Sequence, residues 1–148
     1  MALTANTIET VKATAPVLKA HGLAIVTRMY ERLLADPELA RLFDAGAQRS
    51  GAQAQKVAGA ILAFAENVDR LEALTPALER IAARHVGSGV EPRHYMSVAD
   101  NLLGAMADVL GSLASGDVLT AWAEAYWFLA ERLKAMEAAL ASEQRRAA

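Results

Sequence analysis

Residues 74–95 read LTPALERIAARHVGSGVEPRHY. Within them Leu78, Ile81, Ala82 and His85 follow the i, i+3, i+4, i+7 spacing of one helix face. The spacing therefore predicts that His85 points into a core and away from water. Thr75 and Pro76 read as an N-cap and a first helical position, and the helix is expected to end at His85. Gly87 and Gly89 break it, and Pro92 opens the next helix, which carries Tyr95 in its first turn. A buried imidazole without a partner costs about 1–3 kcal/mol. Taken alone, His85 reads most simply as a core histidine bonded to backbone; its neighbours in space decide whether it does more.

Working outward, every segment shows helical period and none alternates as a strand. The expected helices are Thr7 to Ala20, stopping at His21-Gly22 with Pro16 inside; Leu23 to Leu34; a short one from Pro37 after Asp36; Gln53 to Asn67; then Pro92 to Leu113 and Asp117 to Leu140. DAGAQRSGAQ (44–53) reads as a small polar loop, ASGD (114–117) as a turn and ASEQRRAA (141–148) as a frayed tail. There is no repeat and no linker. The reading is one all-α domain over residues 1–148, with an ordered core of about 7–140 and seven or so unequal helices, unlike an even four-helix bundle.

Composition narrows the chemistry. With no cysteine there is no disulfide, no cysteine-ligated zinc or iron–sulfur cluster and no thioether-linked cofactor. Net charge is −2 with no basic stripe, so nucleic acid is not an expected partner. The N-terminus MALTANTIETVKATAPVL lacks a signal-peptide pattern, and the longest near-apolar run, VAGAILAFA, falls short of the ~20 residues a membrane span needs. A cytoplasmic location is expected. Gly87 and Gly89 form a Gly-x-Gly, but Pro92 stands where a third glycine would be, which excludes a dinucleotide-binding loop.

Several polar residues join His85 on inward faces. The last helix has an apolar stripe of Trp122, Tyr126, Leu129, Ala130 and Leu133; Glu137 lies eleven residues after Tyr126, three turns plus about 20°, and shares it. A carboxylate there wants a donor, or reaches solvent at the helix end. Tyr95 begins a face continued by Val98, Leu102 and Met106. Tyr30 shares a face with Val26, Leu33 and Leu34, and Gln53 with Val57, Ala60, Ile61 and Phe64. A core tyrosine is ordinary and an inward glutamine is rarer. Polar groups converging from several helices suggest a cavity that holds a ligand. His21, at the expected helix end, and His94, read as exposed, are assigned no role.

These residues carry a resemblance. The chain is similar to the bacterial haemoglobins of the flavohaemoglobin type, including their single-domain, Vitreoscilla-like members. The likeness runs from about Thr7 to Ala139 through TIETVKATAPVLKAHG, PELARLFD, IAARHVGSGVEPRHY, LLGAMADVLG and AWAEAY. It implies a globin fold around non-covalent haem b (iron protoporphyrin IX). It further implies His85 as the proximal iron ligand, Tyr95 and Glu137 as its hydrogen-bond partners, and Tyr30 and Gln53 as the distal pair over the gas. Phe43, Val57, Ile81, Val98, Leu102 and Tyr126 would line the cofactor. Val57 stands where the family usually has leucine, and bulky Trp127 follows Tyr126 where a small residue is usual.

Two functions stay open on this resemblance. One is reversible binding of O2, with NO and CO as further ligands, for storage or delivery. The other is nitric oxide dioxygenation to nitrate. The flavohaemoglobins' reductase domain has no counterpart in these residues, so a separate flavin reductase is expected as electron donor, and a homodimer is a further expectation. A plain helical interaction domain would leave Gln53 and Glu137 unexplained.

Overall fold

The computed structural model describes residues 3–42 and 51–147. They form seven α-helices: α1 (Ala5–Ala13), α2 (Ala15–Leu34), α3 (Pro37–Ala40), α4 (Ala52–Glu66), α5 (Thr75–Ser88), α6 (His94–Leu110) and α7 (Gly116–Ala147). Short 3-10 turns precede α5 at Leu71–Leu74 and follow α6 at Gly111–Leu113.

Local chemistry explains most of the boundaries. The Thr4 hydroxyl caps α1 by accepting from the Thr7 amide at 3.1 Å. Asp36 caps α3 by accepting from the Glu38 amide at 2.9 Å, with Pro37 supplying the first helical φ. Gly89, at φ +79°, ends α5 in the left-handed conformation that only glycine takes cheaply.

Other boundaries differ from expectation. The first break falls at Thr14, not at His21-Gly22. Pro16 lies in the opening turn of α2, where its missing N–H costs nothing, and the Thr14 hydroxyl donates to the Val11 carbonyl at 2.6 Å. Gly22 sits inside α2, buried, where a Cβ would meet the Ala58 Cβ at 3.8 Å. It ends nothing, and a Cβ there would make only an ordinary contact with α4. Thr75 is itself helical, its hydroxyl donating to the Glu72 carbonyl at 2.9 Å. The helix runs three residues beyond His85, to Ser88, so Gly87 lies within it. Pro92 lies in the turn before α6, which starts at His94 and stops at Leu110. The C-terminal segment continues α7 to Ala147, where a frayed tail was expected, and helix begins at Ala5. The expected 44–53 loop lies outside the described residues except for its last three positions.

α2 crosses both α4 and α6, while α7 packs on α1, α5 and α6. The core between them centres on Val11, Ile25, Val26, Leu33 and Met106, with Phe64 against Trp122 at 5.9 Å between ring centres. Burying each such aliphatic side chain contributes about 1.5–3 kcal/mol. Where α2 crosses α6, Arg28 and Arg32 both reach Asp108, at 2.9 and 3.3 Å, and the Arg32 guanidinium occupies the space a Cβ on Gly104 would need. Leu34, expected inward with Tyr30, is exposed, as is Ala60 on the Gln53 face. Among the described residues no helix is long and apolar enough to cross a membrane.

Candidate functional site

Three helices bring His85, Tyr95 and Glu137 together. α5 packs on α7, and α7 also packs on α6, so the last turns of α5, the first turn of α6 and the middle of α7 meet. Glu137 Oε2 lies 2.8 Å from His85 Nδ1 and accepts from the Tyr95 hydroxyl at 2.6 Å. The Tyr95 oxygen is also 3.2 Å from His85 Nδ1, and the two rings meet edge-on, 6.0 Å apart at 74°. Glu137 is buried to 11% exposure and does not reach out to solvent.

Proton counting fixes the tautomer. Tyr95 has one hydroxyl proton and gives it to the carboxylate, the shorter contact. Its oxygen can then only accept from His85. A carboxylate also only accepts. Nδ1 therefore carries the ring proton, and in the neutral imidazole Nε2 keeps a free electron pair. Among the described residues Nε2 makes no hydrogen bond. The side chain is 29% exposed, more than the buried position expected from its helix face, while its neighbours Leu78 and Ala82 are buried.

Burial, then the hydrogen bond to Glu137 and its negative charge, push the Tyr95 phenol well above the ordinary tyrosine range, so it remains a proton donor. Tyr126 is raised too, by burial first and then by the negative charges of Asp100 and Glu137. Its hydroxyl donates to the backbone carbonyl of Tyr95 at 2.7 Å. That bond was not foreseen: the sequence put Tyr126 on an apolar stripe. The available signal was a tyrosine, not a phenylalanine, three turns before a glutamate.

The remaining expected residues lie elsewhere on the helices. Tyr30 is buried on α2, and Gln53, half-buried, lies in the first turn of α4, which packs on α2. Val57 and Ile61 of α4, Ile81 of α5, Val98 of α6 and Tyr126 and Leu129 of α7 are apolar or aromatic side chains left half-buried, while Leu102 is buried. These half-buried hydrophobes pack against the core and each leaves part of its surface uncovered. Phe43 lies outside the described residues. Trp127 stands edge-on to Tyr126 at 5.4 Å, with the Lys134 ammonium 5.5 Å from its ring centre.

His94, expected exposed, is buried. Its Nδ1 accepts from the Glu91 amide at 2.9 Å, and its Nε2 lies 3.5 Å from Glu38 of α3, which Arg93 also holds. His21 is exposed in the middle of α2, not at a helix end.

Chemically, a single imidazole with a free Nε2 pair can ligate a metal only if other donors complete the set. Among the described residues no group of three or more His, Asp or Glu could hold a bare ion. A cofactor that brings its own metal and donors fits a lone histidine with Nδ1 already committed and Nε2 free. 

Comparison with known proteins agrees. The globin family model matches residues 27–133. The flavohemoprotein of Xylella fastidiosa (strain 9a5c) is 48% identical over 135 residues, covering 91% of this chain and 34% of that protein. The chain thus spans about a third of the length of the curated relatives it matches. Among solved structures, an engineered carbene transferase from Rhodothermus marinus superposes with a TM-score of 0.91 at 35% identity, covering 97% of this chain and 99% of that one. A flavohemoglobin from Malassezia yamatoensis, solved with bound FAD and haem, gives 0.88 at 34% identity over 96% of this chain and 38% of its own. On the family match and on overall structure, the chain belongs to the globin family.

Proposed function

We propose that this domain is a haem-b globin that holds its cofactor non-covalently and reversibly binds O2, and also NO and CO. The arrangement at His85 carries the reading: Nδ1 is committed to Glu137 and Tyr95, which leaves the electron pair of Nε2 for a ligand. When bound, haem supplies an iron that takes a diatomic gas as ligand. His85 Nε2 would be the protein's ligand to that iron. Val57, Ile81, Val98, Leu102 and Tyr126, with Phe43 by resemblance, would line the macrocycle. Tyr30 would donate its O–H to the gas, reinforced by Gln53. The absence of cysteine leaves no thioether attachment.

Glu137 and Tyr95 also support a second reading, nitric oxide dioxygenation. A carboxylate 2.8 Å from Nδ1 draws on the ring proton and gives the imidazole partial imidazolate character, so Nε2 becomes a stronger electron donor. A carrier needs less of this push. In the overall reaction NO, O2 and one electron give nitrate, the electron coming from a flavin reductase.

The test uses haem-loaded, reduced, oxygenated protein given repeated NO pulses with NADH and a generic flavin reductase. Sustained NO consumption with nitrate formed, well above the reductase alone, supports the dioxygenase. One stoichiometric burst leaving ferric protein supports O2 binding alone. Failure to take up haem would overturn both.

A further inference from the structure

We infer that Trp127 is a surface oxidation site, joined to the His85 cluster by an aromatic relay through Tyr126, at which small phenols give up one electron at a time. The inference rests on the haem reading above and goes beyond it, because it places a second reactive centre on α7, away from the iron.

The Trp127 ring stands edge-on to Tyr126, 5.4 Å between centres. Tyr126 meets the Tyr95 carbonyl at 2.7 Å, and the Tyr95 ring lies 6.0 Å from that of His85. Every step from His85 to Trp127 is thus a hydrogen bond or a ring contact within the 4.5–7 Å of packed aromatic pairs. Tryptophan and tyrosine lose an electron far more readily than they gain one. Such a relay therefore passes electrons inward from its own rings to an oxidised haem, and does not conduct a flavin's electrons by the same steps.

Protons decide which ring stays oxidised. An oxidised phenol or indole turns strongly acidic, so the electron deficit settles where the proton has somewhere to go. Tyr126 donates to a backbone carbonyl, which is no base, and burial holds its phenol protonated. Trp122 is buried, and its indole N–H donates to the Thr14 hydroxyl at 3.0 Å, which itself donates to the Val11 carbonyl. Tyr95 can pass its proton to Glu137, but across one short bond that returns it. Trp127 is half-buried, and its indole N–H has no protein partner among the described residues and is not sealed from water. Its proton leaves to solvent. The Lys134 ammonium, 5.5 Å from the ring centre, opposes a cationic indole and favours that loss. Lys134 is itself paired with Glu131 at 2.7 Å, so no net charge stands beside the ring and a neutral phenol suits it.

The oxidant is hydrogen peroxide, and haem, when bound, supplies the centre at which peroxide is reduced. Reduction to two waters takes two electrons and two protons, delivered in two passes at Trp127. In each pass one electron moves inward through Tyr126 and the indole proton goes to water. A phenol then gives a hydrogen atom, its O–H breaking as the indole N–H re-forms. The sum is one peroxide and two phenols giving two waters and two phenoxyl radicals.

The experiment adds one equivalent of hydrogen peroxide to ferric, haem-loaded protein with a nitroso spin trap present, and locates the adduct by peptide mass spectrometry. Wild type, Trp127→Phe and Trp127→Tyr are compared, and each is assayed in parallel for guaiacol oxidation. The expected wild-type result is an adduct on Trp127 and none on Trp122. Trp127→Phe should lose that adduct and the saturable part of guaiacol oxidation. Trp127→Tyr, which restores an oxidisable ring, should recover both. An adduct confined to Tyr95, Tyr126 or Trp122 overturns the inference, as does guaiacol oxidation that Trp127→Phe leaves unchanged or Trp127→Tyr fails to recover. If Trp127→Phe does not fold, the wild-type adduct map decides: a labelled Trp127 supports the relay and an unlabelled one overturns it. A wild-type chain that takes up no haem is told apart by its missing Soret band, and it sinks the haem reading together with the relay.

Discussion

Glu137 accepts two hydrogen bonds through one oxygen, from the Tyr95 hydroxyl and from His85 Nδ1, and so fixes where every proton in the cluster sits. These three residues were legible in the sequence because each falls on an apolar helix face, where a polar group demands a partner. Tyr126's hydrogen bond was not legible, since a bond to a backbone carbonyl leaves no mark on the partner's side chain. The raised phenols of Tyr95 and Tyr126 give a pH prediction. Below about pH 10 folded and unfolded chains both hold these protons; above it the unfolded chain ionises first. Stability is therefore fully present below about pH 10 and is lost as pH rises through the folded values. At about pH 11 the folded protein should show less tyrosinate absorbance than the same protein in urea, and equal absorbance would contradict the buried donor geometry. On the distal side, Tyr30→Phe should speed O2 dissociation roughly tenfold or more, the loss of a hydrogen bond to a charge-bearing acceptor, and by more than Gln53→Ala does. Stopped-flow traces in the reverse order would make Gln53 the main donor.

At the scale of helices, the Asp36-Pro37 start was readable, whereas the boundaries near Pro16, Thr75 and Pro92, and those decided by tertiary contact, were not. Asp36-Pro37 announces α3 by side-chain chemistry alone. Gly22 looked like a stop because glycine often ends a helix, yet it lies inside α2 where it faces Ala58 of α4, thirty-six residues away. His94 looked exposed because its burial depends on α3 and on the Glu91 amide. The two readings of Gly22 separate cleanly. Within a helix, with its nearest neighbour at ordinary contact distance, Gly22→Ala should stabilise the protein by about 0.5–1 kcal/mol in urea unfolding. At a left-handed helix end the same change would destabilise it.

Over the whole molecule, α7 is the common support: it packs on α1, α5 and α6, and it carries both side chains that hold Tyr95. Of the cluster, α7 supplies Glu137 and the Tyr126 bond to Tyr95, while His85 comes from α5 and Tyr95 from α6. Gln53 and Tyr30 belong to the separate α2–α4 crossing. Helix content and the all-α class followed directly from hydrophobic period. Which inner faces stay half-covered did not, because that depends on how the helices pack. The most direct measurement is the ferrous spectrum of the haem-loaded protein with and without His85. Wild type should give a five-coordinate ferrous spectrum, and His85→Ala should lose it and regain it only when imidazole is added. A His85→Ala protein with an unchanged ferrous spectrum and no added imidazole would contradict the assignment of His85 as the ligand.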